Sequence, residues 1–130
     1  MGFETEREKK RIREERLPYW QSQIQGKLGG GVSLRVDVEG LPPEEKKIQD
    51  FDFWGLATLR NVFSSIAREK DFKDYVVEKV KVVHVANDEN LGKAKYEYDA
   101  ASLTLKITTT SKDEKWVNHA NLLQFLKTTL

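Results

Sequence analysis

The 130-residue sequence contains no cysteine. This absence excludes disulfides, thiolate metal sites and cysteine nucleophiles together, and it fits a reducing compartment. Long apolar runs are also missing, since no stretch approaches the ~18 residues that a membrane-spanning helix requires. The first six residues, MGFETE, are charged where a secretory signal would be apolar. We therefore expect a soluble, cytoplasmic protein without a membrane partner.

The sequence also lacks an excess of charge of either sign. It has 22 lysine and arginine residues against 21 aspartate and glutamate residues, although 33% of all positions are charged. Proteins that bind nucleic acid or anionic membranes usually carry a clear basic excess. Overall charge therefore does not favour a nucleic-acid partner. A chain of this length, 38% apolar, is suited to one domain with one core.

Known catalytic motifs are absent as well. We find no Gly-x-Ser-x-Gly element, no Walker loop and no His-Glu-x-x-His element. The two histidines, His84 and His119, have no metal-ligand spacing. The glycines at positions 29–31 precede a predicted strand, whereas a phosphate loop follows a strand and leads into a helix. We therefore predict no catalytic residue, no metal site and no cofactor, and consider a non-enzymatic role more consistent with the sequence.

Two segments alternate strictly between apolar and polar residues: positions 32–39 and 103–108. Because a strand turns successive side chains to opposite faces, each segment predicts a strand with one apolar and one polar face. Leu34, Val36, Leu105 and Ile107 should face the core. This pattern is typical of a sheet that is covered on one face and hydrated on the other.

The other segments predict four helical regions and two further strands. Leu17, Trp20, Ile24 and Leu28 recur at helical spacing, and a second apolar stripe runs from Trp54 to Ile66. A short helix should follow around Phe72–Val80. Strands are expected at 80–86, 94–98 and 102–110, the last two as a hairpin. Ser111–Glu114 has the pattern of a capping box for a final helix whose inward residues would be Trp116, Ala120, Leu123 and Leu126.

These elements predict an α+β fold in the order α-β-α-α-β-β-β-α. We expect a two-layer sandwich in which a four-stranded, mostly antiparallel sheet has helices packed on one face. Residues 1–16 would form a charged N-terminal helical extension, and residues 17–130 a single α+β domain.

Residues 4–16 are charged at almost every position, with Ile12 as the only apolar residue. Oppositely charged pairs four residues apart, such as Glu6 and Lys10, are typical of a solvated helix. An alternative is nucleic-acid binding through the basic residues Lys9, Lys10, Arg11, Arg13 and Arg16. The basic side chains are scattered around the helix axis and nearly matched by acids, so the solvated helix is favoured.

Two pairs of carboxylates lie two residues apart: Asp37 with Glu39, and Asp50 with Asp52. In an extended segment each pair would point the same way and could hold Mg²⁺, which makes a Mg²⁺-dependent enzyme a further alternative. The simpler interpretation is that Asp50 and Asp52 cap a helix while Asp37 and Glu39 lie on the hydrated face.

The polar face of the predicted sheet is the leading candidate for a binding surface. With His84 toward the core, Val83 and Val85 would form a small apolar spot within a charged ring, which resembles the dry centre and polar rim of an interface. We therefore predict a small domain that binds another protein or itself, in the latter case as a homodimer. The predicted contact residues are Arg35, Val83, Val85, Lys95 and Lys106.

Overall fold

The sheet has four strands in the spatial order β1-β2-β4-β3. The computed structural model describes residues 2–29, 31–111 and 116–130. The strands are β1 (Ser33–Val36), β2 (Val82–Asn87), β3 (Lys95–Asp99) and β4 (Thr104–Thr109). The α+β class and the order of elements along the chain are as predicted.

Helices precede β1, lie between β1 and β2, and follow β4. The bounds in chain order are α1 (Phe3–Arg11), a π-helical segment (Ile12–Arg16), α2 (Leu17–Leu28), α3 (Glu45–Asp50), a second π-helical segment (Phe51–Leu56), α4 (Ala57–Ala67), α5 (Lys70–Lys79) and α6 (His119–Thr129). A short 3₁₀ turn at Val38–Gly40 ends the first predicted strand earlier than its alternation suggests.

The prediction of a mostly antiparallel sheet is wrong. β1 pairs with β2 in parallel, β2 pairs with β4 in parallel, and only β3 runs antiparallel to β4. The helices between β1 and β2 return the chain to the same end of the sheet, which makes those strands parallel. β3 lies outside β4, so the hairpin brings β4 back beside β2 in the same direction. Hydrophobic alternation within a strand indicates which face of the sheet is covered. It does not indicate whether the adjacent strand runs parallel or antiparallel.

The core lies against one face of the sheet. Leu34, Val83, Val85, Leu105 and Ile107 are buried there together with apolar side chains of the helices. The predicted inward positions of Leu34, Leu105 and Ile107 are confirmed, and Val36 is half-buried against the same cluster. On the opposite face, side chains of the alternate positions are exposed or half-buried.

The predicted register of β2 is wrong by one residue. Val83 and Val85 are 0% and 1% exposed and belong to the core, whereas His84 lies on the other face. The segment from Val80 to Ala86 is apolar at almost every position, so its own pattern could not choose between the faces. Pairing decides it, because Val83 lies opposite Leu34 on one side and Leu105 on the other.

Two helices also bury different residues from those predicted. Trp54, expected in the core, is 66% exposed, because the π-helical segment departs from the 3.6-residue period and turns Phe51 and Asp52 inward instead. In α6, Leu122 and Leu126 are buried while Ala120 is exposed. Asn118 caps α6 by accepting a hydrogen bond from the Asn121 N–H at 2.9 Å. The predicted capping box at 111–114 extends outside the described residues.

Candidate functional site

The open face of the sheet carries a row of charged and polar side chains across all four strands. Arg35, His84, Lys106 and Glu97 lie directly opposite one another in the strand pairing. Half-buried Val82 and Ala86 flank His84 along β2. Of the predicted contact residues, Arg35, Lys95 and Lys106 are exposed on this face. Val83 and Val85 are not, so the apolar spot consists of Val82 and Ala86 instead.

The outer edge of β1 is protected by side chains of α2. The Leu34 N–H donates to Gln21 Oε1 at 3.0 Å, and Gln25 Nε2 donates to the Val32 carbonyl at 3.0 Å. An edge strand with free N–H and C=O groups is a template for pairing with another chain. The two glutamines occupy part of that template, so β1 offers little to a partner strand.

The outer edge of β3, unlike that of β1, has backbone groups that point away from the sheet. Leu103, just before β4, and Thr109, at its end, direct their backbone carbonyls toward the β2 side. They accept from the Val82 N–H at 3.2 Å and from the N–H of Asp88, just after β2, at 2.9 Å. Alternate residues of β4 therefore face β3, where Lys106 lies opposite Glu97. It follows that the N–H and C=O groups of Tyr96 and Tyr98 point away from the sheet. Among the described residues, no backbone hydrogen bond outside the strand ladders involves these groups.

The tyrosine side chains hold β3 against the core. Tyr98 donates from its hydroxyl to the Lys79 carbonyl at 2.5 Å, and the Tyr96 hydroxyl accepts from the Asn118 N–H at 3.0 Å. Burial raises the pKa of Tyr96, although its backbone hydrogen bond with Asn118 opposes this. The strand is therefore fixed from its inner face while its charged face and outer edge remain accessible.

Charge along β3 changes sign at Tyr96. Lys93 and Lys95 precede it, and Glu97 and Asp99 follow, all at alternate positions. Lys95 Nζ lies 3.8 Å from Glu97 Oε1, and these side chains are 61% and 49% exposed. Hydrogen bonds from the Ser102 hydroxyl and the Ala101 N–H hold the pKa of Asp99 below its ordinary value, so Asp99 is charged at neutral pH.

Most of the basic residues in the N-terminal segment are bound to carboxylates of the same chain. Lys9 lies within 4.0 Å of Glu6 and 3.8 Å of Glu39, and Arg13 also pairs with Glu39. Thr5, Glu8, Lys9 and Ile12 are buried, and α1 packs on α3. The sequence predicted a solvated helix. The side of this segment that carries Thr5, Lys9 and Ile12 is instead buried against the rest of the protein. Of the five predicted nucleic-acid contacts, only Lys10 has no ion pair within the described part of the chain.

Asp52 is the centre of a buried polar cluster that sequence reasoning missed. It is 0% exposed and accepts from Trp20 Nε1 at 2.6 Å, Arg16 Nε at 2.9 Å and Arg11 at 3.3 Å. We call these four residues the Asp52 cluster. Partial burial alone would lower the pKa of Arg11, but the carboxylates of Glu8 and Asp52 raise it, so the guanidinium stays charged. Each carboxylate oxygen of Asp52 accepts two hydrogen bonds from these residues, so neither oxygen is available to a ligand.

The predicted Mg²⁺ ligands do not converge. Asp52 is held by arginines, Glu39 pairs with Lys9 and Arg13, and Asp50 pairs with Lys46 at 3.1 Å. Among the residues the structure describes, no group of three or more histidine or acidic side chains is arranged to hold a metal ion.

The carboxyl ends of parallel strands are the usual ligand site of open α/β sheets. Here Glu89 accepts from the Asn87 amide at 3.2 Å, from the Ser111 N–H at 2.9 Å and from the Ser111 hydroxyl. Burial alone would raise the pKa of Glu89, but the hydrogen bonds from Ser111 and Asn87 and the charge of Lys47 lower it below its ordinary value. The carboxylate oxygens of Glu89 already accept hydrogen bonds within the chain, so few polar groups at this end of the sheet are available to bind a ligand.

His119 lies in a cleft of about 630 Å³ where the last turns of α2 and α4 meet the start of α6. Its Nε2 is 3.1 Å from Ser65 Oγ. The other polar side chains that line this His119 cleft are Lys27, Asn61, Ser64 and Arg68. A serine–histidine pair suggests nucleophilic catalysis only when a third group orients the imidazole, and within the described ranges no such hydrogen bond to His119 is present.

Comparison with protein-family models, with curated proteins and with solved structures finds no match. No described helix is both long and apolar enough to cross a membrane.

Proposed function

We propose that this protein is a non-enzymatic, self-associating domain in which two copies pair through the outer edges of their β3 strands. The observation that carries the proposal is the combination of unpaired backbone groups on Tyr96 and Tyr98 with a charge pattern that reverses at Tyr96. Adding a strand to an exposed edge is a common mode of recognition, in which main-chain hydrogen bonds supply affinity and side chains supply register.

The charge pattern favours one register. A two-fold axis at Tyr96 places each strand antiparallel to its copy, with Lys95 opposite the second copy's Glu97 and Lys93 opposite its Asp99. Opposite charges on facing strands stabilise the pair by roughly 0.2–1 kcal/mol each. A two-fold axis at Glu97 would instead place the two copies of Glu97 face to face and would leave two attractive pairs, Lys95 with Asp99, where the Tyr96 axis has four. β3 is thus self-complementary around Tyr96.

The proposal also requires a two-layer arrangement, with helices on one face of the sheet and the other face open. The alternation of buried side chains with exposed or half-buried ones in β1, β2 and β4 supports it. Edge pairing would then join two four-stranded sheets into one, in the closed two-fold form that most homodimers adopt. Arg35 and Lys106 lie away from that edge, so only a partner covering the sheet face would contact them.

Charge reversal tests both the surface and the register. We expect Lys95→Glu to weaken dimerisation about tenfold, because it replaces two attractive pairs with repulsive ones. In the Tyr96 register, Lys95→Glu combined with Glu97→Lys restores the pairing with the charges exchanged. In the Glu97 register the same double substitution creates only like-charged contacts. Sedimentation equilibrium over a range of concentrations, at low and high salt, measures each dissociation constant.

The matched control is Lys10→Glu, which makes the same change in net charge at an exposed site in α1. A wild-type protein that stays monomeric at millimolar concentration would overturn the proposal. So would equal dissociation constants for Lys95→Glu and Lys10→Glu. Failure of the double substitution to restore association, with circular dichroism unchanged, would overturn the Tyr96 register.

The alternatives have less support. Nucleic-acid binding through the N-terminal segment would have to break the ion pairs of Lys9, Arg11, Arg13 and Arg16 with carboxylates, and that cost opposes it. Detectable binding to a duplex or single strand at ~50 mM salt, lost in Lys10→Glu, would favour it. A Mg²⁺-dependent activity would need Asp37, Glu39, Asp50 and Asp52 to converge, and the last three would first have to leave their present partners.

A further inference from the structure

The polar stripe of α4 forms one wall of the His119 cleft. Asn61, Ser64, Ser65 and Arg68 follow one another at helical spacing, on the side of α4 away from buried Leu59, Phe63 and Ile66. A polar stripe on a helix usually faces bulk solvent. Here it faces a concave space whose other sides carry Lys27 and His119, so the stripe and two further polar groups converge.

Every polar side chain that lines this cleft can donate a hydrogen bond, and no described carboxylate lines it. Asn61 Oδ1 accepts from Arg60 at 3.2 Å, so the amide NH₂ of Asn61, which lines the cleft, is the group of that side chain that can donate to a ligand. Lys27 and Arg68 have no ion pair within the described ranges, whereas many other basic side chains do. Glu69, the nearest acid in sequence, lines a separate, smaller cleft that also borders Ser65 and Arg68.

We propose that the His119 cleft binds the phosphate group of a small phosphate monoester. Arg68 and Lys27 would neutralise the dianion from two sides, and the hydroxyl of Ser64 and the amide of Asn61 would donate to its oxygens. His119 would donate from its ring, with Ser65 fixing the ring through the 3.1 Å contact. The volume of about 630 Å³ lies in the range of small-molecule sites and exceeds what a free phosphate ion fills.

The proposal is independent of self-association, since the cleft is formed by α2, α4 and α6 and not by β3. A competing explanation is that Lys27 and Arg68 only complement the negative carboxyl ends of α2 and α4. The two explanations differ in what added phosphate does.

The test is a titration of the ¹⁵N-labelled full chain with inorganic phosphate and with phenyl phosphate, against sodium chloride at matched ionic strength. We expect phosphate-dependent amide shifts at Asn61, Ser65 and His119, and tighter binding of phenyl phosphate than of inorganic phosphate. Arg68→Gln and Lys27→Gln should each weaken phenyl phosphate binding about tenfold, because each removes a charge-assisted hydrogen bond. Lys10→Gln, which removes an equal charge outside the cleft, should leave the affinity unchanged.

Three results would overturn phosphate binding in the cleft, and a fourth would overturn the monoester as its occupant. One is the absence of specific shifts at 50-fold molar excess of ligand, and another is an equal loss of affinity in Lys10→Gln. The third is that Arg68→Gln and Lys27→Gln lower the melting temperature while phosphate has no effect on the wild type, as expected if these residues only complement helix ends. Equal affinities for the two ligands would overturn the monoester and leave free phosphate as the occupant.

Discussion

At the scale of single residues, the Asp52 cluster is the most consequential feature. A carboxylate with no exposure is tolerated only when its charge and lone pairs are compensated, and here two guanidinium groups and an indole N–H provide that. The arginines retain about a quarter of their side-chain exposure, at 29% and 26%. The cost of breaking the cluster therefore depends on which partner is removed.

We predict that Arg11→Met combined with Arg16→Met lowers the free energy of unfolding by about 3–5 kcal/mol, since it leaves Asp52 buried without a countercharge. Adding Asp52→Asn should recover most of that loss, because asparagine keeps an acceptor for Trp20 Nε1 and removes the charge. Urea denaturation measures all three proteins. A loss below about 1 kcal/mol in the double variant would contradict this account.

Glu89 gives a residue-scale prediction on pH. Its folded-state pKa is lowered below the ordinary value, so its stabilising effect is fully present above the unfolded-state pKa and is lost as the pH falls through the folded-state pKa. Glu89→Gln should lower the free energy of unfolding by about 1–3 kcal/mol at pH 7 by weakening charged hydrogen bonds. The difference from wild type should shrink on acidification below pH 4.5, as followed by urea denaturation. A difference that stays constant down to pH 2 would contradict the assignment.

At the scale of elements, the two edges of the sheet are treated differently. α2 reaches across β1 with Gln21 and Gln25, whereas the described residues leave the outer edge of β3 unpaired. Edge protection is a means by which proteins prevent unwanted strand pairing. The asymmetry explains why the proposed association uses β3.

We predict that Gln21→Ala lowers the free energy of unfolding by about 1 kcal/mol, because the Leu34 N–H loses its partner at a half-buried site. Amide hydrogen exchange at Leu34 should be faster in the variant, while exchange at Val83 in the sheet centre is unchanged. Gln23→Ala, at another half-buried glutamine of α2, is the matched control. Equal exchange rates at Leu34 in Gln21→Ala and wild type would show that the bond is unimportant.

Element boundaries illustrate what periodicity can and cannot predict. The stripe Trp20, Ile24 and Leu28 is buried as its spacing indicates. Trp54 is not buried, because a π-helical segment changes the angle between successive side chains. The composition of that segment does not predict a π-helix. For β2, residues on both faces are apolar, so only its neighbours could fix the register.

At the scale of the whole molecule, the proposed self-association would couple the stability of the fold to protein concentration. If only folded chains dimerise, dimerisation stabilises the folded state by mass action. The melting temperature then rises with protein concentration. We predict such a rise for the wild type and a smaller one for Lys95→Glu, measured by differential scanning calorimetry over a hundredfold concentration range. Lys10→Glu should follow the wild type. A melting temperature independent of concentration in all three would count against dimerisation.

The candidate surfaces were only partly accessible from sequence. The polar face of the sheet follows from alternation in β1 and β4, and the structure places Arg35, Lys95 and Lys106 on that face. Their role as contact residues stays a prediction. The His119 cleft joins residues 27, 61–68 and 119, which are distant in the chain. The spacing of Asn61, Ser64, Ser65 and Arg68 was the one local signal, and it equally describes a solvated helix face.

By itself, the sequence determined the class and order of elements, because hydrophobic periodicity is a local property of each segment. Tertiary structure alone decided strand direction, the register of β2, the burial of Asp52 and the pairing of the N-terminal cations. These depend on which segments meet, and side chains far apart in the chain become ion pairs or cleft walls only once the core brings their helices together.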